Sequence, residues 1–336
     1  MIAIRSEMLS GKEPKECSIC YEQEKAGAVS KRMQSNSRFA VHFGSQEATQ
    51  ATLSSFDLKF LDLRFSNVCN QKCRTCGPVF STGWYADHET LTGIKGSTLV
   101  KISDRANTLD EFLKHATALE AINFAGGEPL LTSEHYDALE HLLAVGNTDA
   151  HLTYNTNMSV LELGSHDVVQ LWKKFSRVTV GVSIDDVGAR AEYIRSGAKW
   201  ATIEDNIKRV KRECPHIKLY AAVTVSAYNV LHLRQMYYHL VQSKLFAQEE
   251  FFISVVREPF YLSVSALPEN LIARAKEEIF AFMKAEPHLS SGLKKVMERL
   301  DNPNGETEHL ISFTRKLDEI RSEDVTQVIP ELQSIF

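Results

Sequence analysis

From Asp57 onward the chain alternates between two hydrophobic rhythms. In "DLKFLDLRF" (57–65) Leu61, Leu63 and Phe65 alternate with polar neighbours, the period of a strand with one buried face. Apolar, β-rich runs recur at "AINFA" (121–125), "AHLTYNT" (150–156), "RVTVGVSID" (177–185), "IKLYAAVTV" (217–225) and "EFFISVV" (250–256). Helical patterns fill the gaps. "TLDEFLKHATAL" sets Thr108 and Glu111 in capping-box positions with Leu109, Phe112, Leu113 and Ala116 on one face. "EHYDALEHLLAVG" stops at Gly146 as a helix should, and "IEDNIKRVKRE" and "LHLRQMYYHLVQS" follow. Strands alternating with helices predict parallel βα units, six in number. Six are too few for a closed eight-stranded barrel and enough for an open one, whose chemistry would lie at the C-terminal strand ends. The expected fold class is therefore α/β, a partial (β/α)6 TIM-like barrel.

Before the barrel the pattern changes. Residues 1–55 are polar and rich in Ser, Gln and Lys without a sustained period, and "SQEATQATLSS" (45–55) reads as a connector. From about Leu267 the pattern is helical only: in "PENLIARAKEEIFAFMKA" Ile272, Ala275, Ile279, Phe282 and Met283 share a face, which predicts packing rather than chemistry. Three segments are expected: 1–55, a short Cys-containing segment and linker; 56–262, the partial barrel; and 263–336, a helical C-terminal extension.

Composition narrows the function classes. Of the 336 residues 43% are hydrophobic and 24% charged, enough for one large core or two modest ones. "MIAIRSEMLSGKEPKE" lacks the apolar core of a signal peptide, and no window approaches ~18 uncharged apolar residues, so a cytoplasmic protein with no membrane segment is expected. Lys and Arg number 38 against 43 Asp and Glu, and short basic runs such as "IKRVKRE" fit a solvated helix face, so no nucleic-acid patch is evident.

Six cysteines stand at 17, 20, 69, 73, 76 and 214. In a reducing compartment such clusters are better read as metal ligands or catalytic thiols than as disulfides. Cys69, Cys73 and Cys76, spaced C-x3-C-x2-C directly after the first strand, suit three irons of a 4Fe-4S cube whose fourth iron stays open. A zinc site completed by a histidine such as His88 satisfies the same spacing. In "GGEP", Gly126 and Gly127 permit close backbone approach to a ligand and Glu128 can accept from an ammonium; alone, the motif is equally a turn.

"CNQKCRTC" after strand one and "FAGGEPLL" after strand two together resemble the radical S-adenosylmethionine (SAM) superfamily. The resemblance implies that the open iron chelates the amino and carboxylate groups of SAM, and that one electron splits SAM into methionine and a 5′-deoxyadenosyl radical. It also implies an external reductant such as flavodoxin or ferredoxin. Later segments are similar as well. By that likeness Asn155 and Asn157 in "TYNTNMS" serve the SAM ribose and carboxylate, where an Asx-rich turn is the plainer reading. Ser183 in "VSIDD" and Arg195 in "AEYIRSGAKW" would hold the carboxylate, against a surface ion pair for Arg195. Asp185 would orient this network or cap the next helix, and Val225 would lie near the adenine or in the core. Tyr85, His88 and Tyr154 read as cavity groups or as ordinary packing and surface.

Cys17 and Cys20 form a C-x2-C pair that suits zinc or iron–sulfur equally. "IRSEMLSGKEPKECSICYEQEKAGAVSKR" and the terminal "FTRKLDEIRSEDVTQVIPELQSIF" resemble radical SAM proteins carrying an N-terminal twitch domain, an auxiliary-cluster module. In those relatives further cysteines precede this segment, so the likeness suggests an N-terminally shortened module. Two thiolates cannot complete a four-thiolate cluster, and Cys214, just before Pro215, reads as a loop or core cysteine. Three outcomes stay open: a site finished by another chain, a small second metal site with non-Cys ligands, or a relic. The subfamily implies a peptide or protein substrate, with a nucleotide or small metabolite as the alternative. A non-catalytic cluster protein or a partner-dependent subunit is the competing class.

Overall fold

The computed structural model describes residues 2–25, 27, 29–40, 58–94, 99 and 114–336. These fall into two compact units, Met1–Leu58 and Lys59–Phe336. Among the described residues the first has three short α-helices, α1 (Ile2–Leu9), α2 (Ser18–Lys25) and α3 (Lys31–Phe39). Ser30 caps α3 by accepting from the Met33 amide at 3.1 Å, and the Glu24 carboxylate pairs with Arg32.

Among the described residues the second unit has eight strands: β1 (Phe60–Arg64), β2 (Ala121–Ala125), β3 (His151–Thr156), β4 (Glu162–Leu163), β5 (His166–Asp167), β6 (Val178–Ser183), β7 (Lys218–Val225) and β8 (Phe251–Val255). Six of them form one parallel sheet in the order β1-β2-β3-β6-β7-β8, the partial TIM-like barrel, while β4 and β5 make a separate antiparallel pair. All six sheet strands fall inside the runs expected from hydrophobic rhythm. In β2 every residue but Asn123 is apolar and buried, as a parallel strand covered on both faces requires. In β7 Leu219, Ala221, Val223 and Val225 are buried while Tyr220, Ala222 and Thr224 are half-buried, because successive side chains point to opposite faces.

Helices cover the sheet through apolar stripes. α4 (Tyr85–Thr92) follows the cysteine loop, and α5 (Ser133–Ala144) buries Tyr136, Leu139 and Leu142, stopping before Gly146, which takes φ 77°. α6 (Val168–Trp172) and α7 (Gly188–Ile194) are short. α8 (Trp200–Glu213) buries Ile203, Ile207 and Val210 and leaves Lys208 and Arg212 to solvent, as expected of "IKRVKRE", whereas Arg209 and Lys211 are half-buried and paired with Asp167 and Glu250. α9 (Leu233–Gln242) completes the barrel layer. The helix expected over 108–119 lies largely outside the described residues, as does the connector at 45–55.

After the barrel come α10 (Glu269–Ala285), α11 (Ser290–Leu300), α12 (Thr307–Arg321) and the single turn α13 (Val325–Val328). α11 lies directly on the last strand: a Cβ at Gly292 would come within 2.7 Å of Ile253 Cβ. Among the described residues no helix is long and apolar enough to cross a membrane. Cys214 is a core thiol, 1% exposed, with its Sγ 3.6 Å from the Val169 carbonyl.

Register decides what the strands deliver. Arg64 lies opposite Ala125, Thr156 opposite Val182, Ser183 opposite Ala222 and Val225 opposite Val255. Parallel strands in this register end together, so the loops after β1, β2, β3, β6, β7 and β8 meet on one side.

Candidate functional site

On that side lies a cavity of about 500 Å3, within the usual range for small-molecule sites. The loop joining β1 to α4 brings Cys69, Cys73 and Cys76 to its wall, all three thiols free and half-buried. Asn155 and Asn157, Ser183 and Arg195, from the ends of β3, β6 and α7, line the same cavity. Three cysteines and four polar groups, spread over 127 positions of sequence from 69 to 195, thus share one space.

The cysteine loop is held there by its backbone. The Gly127 amide donates to Ser66 O at 3.0 Å and the Glu128 amide to Val68 O at 2.8 Å, so the turn after β2 is hydrogen-bonded to the loop after β1. The approach is closer than any side chain allows: a Cβ at Gly126 would stand 2.7 Å from Ser66 O, and one at Gly127 2.3 Å from Val68 O. The glycine pair lines the cavity, but what forbids its side chains is the cysteine loop itself.

Side chains complete the seat. The Asn157 amide donates to Asn70 Oδ1 at 2.9 Å and lies 3.9 Å from Cys69 Sγ, while its Oδ1 accepts from the Ser159 amide and hydroxyl. Trp84 donates its indole N–H to Cys73 O at 2.8 Å. The amides of Lys72 and Arg74 donate to Ser196 O and Ile194 O, both at 2.8 Å. Arg74, between two of the cysteines, is fully buried; its guanidinium stacks on Tyr193 at 3.6 Å and pairs with Asp318 and Glu323, beyond the barrel. Arg321 of α12 adds a bond to Lys72 O at 2.8 Å and an ion pair with Asp87 at 2.7 Å. The C-terminal helices therefore do more than the packing expected of them: they bolt the cysteine loop in place.

Glu128 is placed differently from its neighbours. It is 1% exposed and off the cavity wall, accepting from Leu130 N at 3.1 Å, Thr156 Oγ1 at 2.7 Å and Asn157 N at 2.7 Å, which locks the end of β2 to the end of β3. Burial raises its carboxyl to about 7 against the pull of those donors. Val225 is fully buried and also off the wall; its neighbour Thr224 faces the cavity. Tyr154 is a core residue bonded to His135 at 3.0 Å, and Tyr85 accepts from Asn67 at 3.1 Å.

Charge converges on Arg195. Its Nε lies 2.9 Å from Asp185 Oδ2 and its Nη1 3.7 Å from Cys73 Sγ. Burial works against its charge, but Asp185 and then the thiols of Cys73, Cys69 and Cys76 outweigh that and shift it upward. Asp185, 1% exposed, also accepts from Thr224 N at 3.0 Å, and its carbonyl accepts from Asn229 at 2.7 Å; the next residue, Asp186, is the one that bonds Val187 N before α7. Burial pushes Cys73 and Cys76 up to about 11, so loading a metal there releases protons. Among the described residues no three His, Cys, Asp or Glu side chains are gathered tightly enough to hold a single metal ion, and His88 in α4 joins no such group.

Several positions around this site carry no signal in the sequence. Gln71 is 1% exposed, lines the cavity and has its Nε2 without a partner, yet in sequence it is one polar residue of a polar loop. Arg74, Asp318 and Glu323 read as ordinary charges because their partners are about 250 residues apart. Arg257 and Glu258, at the mouth beyond β8, follow a strand end and were findable only by that position.

The family model described as the radical SAM superfamily matches residues 63–230, half of the chain. No curated protein matches. Among solved structures, one described as native anSMEcpe with bound AdoMet is similar at 16% identity and a TM-score of 0.45, covering 67% of this chain and 59% of that one. Streptococcus suis SuiB bound to precursor peptide SuiA is similar at 15% identity and a TM-score of 0.42, covering 81% of this chain and 60% of that one. The chain thus spans about three fifths of the length of these structures.

Two outcomes follow from the site's packing. Gly127→Ala forces Val68 away from a 2.3 Å contact, and the variant is expected to keep its far-UV circular dichroism but lose most of the iron taken up on reconstitution, measured by iron analysis. For Glu128 the folded pKa is raised, so the unfolded chain holds fewer protons between pH 4.5 and about 7 and stability falls as pH rises through that window. Denaturant unfolding at pH 5 and 8 is expected to show a loss of up to roughly 3 kcal/mol that is absent in Glu128→Gln.

Proposed function

The chain belongs to the radical SAM superfamily, enzymes that work with a 4Fe-4S cluster and S-adenosylmethionine, and we propose that the cavity at its strand ends is where both cofactors sit. The observation that carries this reading is the convergence of Cys69, Cys73 and Cys76 with Arg195 around one cavity of about 500 Å3. Three soft thiolates and no fourth suit a cube with one open iron. The donor set around them fits the second cofactor: a guanidinium fork at Arg195, a hydroxyl at Ser183 and amides at Asn155 and Asn157.

When bound, the cluster supplies one electron that splits SAM into methionine and a 5′-deoxyadenosyl radical, which takes a hydrogen atom from the substrate and leaves as 5′-deoxyadenosine. The residues do the rest by position. Arg195, ion-paired with Asp185 at 2.9 Å, offers its guanidinium N–H groups to the SAM carboxylate, with Ser183 in the same wall. Asn155, exposed at the end of β3, serves the ribose. Asn157 and Glu128 act through the loop: Asn157 ties Asn70 beside Cys69, and Glu128 holds the Asn157 amide at 2.7 Å. A reductant such as flavodoxin or ferredoxin supplies the electron from outside the chain. The substrate is proposed to be a peptide or protein, on the likeness of 4–32 and 313–336 to twitch-domain relatives.

Cys17 and Cys20 sit on the turn Lys15–Cys17 and on α2, in the first unit. Among the described residues no third His, Cys, Asp or Glu joins them in a metal-holding group. A second metal at this pair would need ligands from elsewhere, such as another chain.

The reading is tested by anaerobic purification, reconstitution with iron and sulfide, and assay of 5′-deoxyadenosine from SAM and dithionite. The wild type is expected to form it and Cys73→Ala to fall to background; equal product from both would overturn the assignment. In the isolated chain, iron and zinc content is expected to be unchanged by Cys17→Ala/Cys20→Ala. A loss of metal in that variant would establish a second site.

A further inference from the structure

A second cavity, of about 490 Å3, lies beside the first, with Val255 and Arg257 in the walls of both. Its other charged residues are Lys295, Glu298 and Arg299, all on α11. Three cations and one carboxylate therefore share a pocket that adjoins the proposed reaction cavity at the end of the last strand. Among the described residues none of the three cations has a carboxylate partner. By contrast, Arg195 in the wall of the first cavity and Arg74 and Arg321 behind the cysteine loop all meet acidic groups. The nearby Asp301 is taken by Lys276 at 2.8 Å. Arg299, in the last turn of α11, complements the helix dipole, but Lys295 and Arg257 have no such duty.

Resting on the proposed function, we propose that Arg257, Lys295 and Arg299 form the substrate's anchoring subsite, which takes a carboxylate of a peptide while a neighbouring residue of that peptide enters the cavity beside Cys69, Cys73 and Cys76. The two cavities adjoin at Val255 and Arg257, so a peptide anchored by its carboxylate in one can present a neighbouring residue to the other. Arg257 and Arg299 supply forked donors that fit a carboxylate, and Lys295 a point charge. Glu298 in the same wall disfavours a run of phosphates, as does the net charge of −5, and both favour a single carboxylate over a nucleic acid. The carboxylate belongs either to an acidic side chain or to a peptide C-terminus.

The probe is a set of fluorescein-labelled twelve-residue Gly/Ser peptides, read by anisotropy at low salt on the reconstituted protein. One carries two glutamates and an amidated end, one two glutamines and an amidated end, and one two glutamines and a free end. At least one carboxylate peptide is expected to bind more tightly than the fully neutral one, and Lys295→Glu/Arg299→Glu to weaken that binding by about tenfold or more. Arg257→Ala is expected to weaken it in the same direction. Lys208→Glu, on the distant helix α8, is expected to bind as the wild type does, which separates this pocket from general charge attraction. Which carboxylate peptide binds identifies the source of the group. Equal binding of the neutral peptide, no binding at all, an equal loss in Lys208→Glu, or tighter binding of a single-stranded oligonucleotide of matching charge overturns the inference. Peptide-independent 5′-deoxyadenosine formation by the wild type is measured alongside, so failure of the radical chemistry is read separately from failure of the subsite.

Discussion

The architecture of the site depends on one steric constraint, the absence of side chains where the loop after β1 crosses the turn after β2. Ser66 O and Val68 O lie within 2.7 and 2.3 Å of where Cβ atoms would stand at Gly126 and Gly127. A third contact of the same kind comes from the other flank, where a Cβ at Gly197 would meet Asn70 O at 2.8 Å. Backbone packed against backbone is stiffer than side chain against side chain, because no rotamer can relax it. The cysteine loop therefore inherits the rigidity of the sheet, and the thiols of Cys69, Cys73 and Cys76 are presented to the cavity from a fixed base.

Around that base the polar groups form two tiers. Glu128, Asn157 and Asn70 join the ends of β2 and β3 to the loop from the barrel side. Arg74, Arg321 and their carboxylates do so from the C-terminal side. Arg74 is the more demanding of these, since a buried cation without its partners is costly to hold. Asp318 and Glu323 meet that need, and Asp318 is itself committed further, accepting from the Tyr193 hydroxyl and from Val325 N at 2.8 Å each. The helical extension is thus coupled to the cysteine loop through one guanidinium, and damage to either end is felt at the other.

Arg195 shows how the same economy serves chemistry. Its Nε lies in an ion pair with Asp185 without a hydrogen bond between them, and the other oxygen of Asp185 accepts from the Thr224 amide, so the end of β6 is tied to the end of β7 by the group that faces the cation. The rest of the guanidinium faces the thiols, with Nη1 3.7 Å from Cys73 Sγ. Of the three cations in the cavity wall, Arg64 and Arg195 meet carboxylates, while Arg257 is exposed and has no carboxylate partner among the described residues.

The hydrophobic rhythm by itself determined the six parallel strands, because burial on two faces leaves apolar runs whose length and spacing are visible in one dimension. Spacing also marked the cysteine loop, since C-x3-C-x2-C is local, and the resemblance of later segments to the family singled out Asn155, Asn157, Ser183 and Arg195, which line the same cavity. What the sequence could not show were contacts between distant segments. Gly126 and Gly127 look like a ligand turn until the cysteine loop is laid across them, and Glu128 looks free to bind a ligand until Leu130, Thr156 and Asn157 are seen to occupy its oxygens. Arg74, Asp318 and Arg321 look like solvated charges, and α12 like mere packing, until the tertiary structure joins them. The physical reason is the same in each case: periodicity reports which face of an element is buried, but a close approach or a buried ion pair is a property of two elements at once, and only the folded chain puts both on the page.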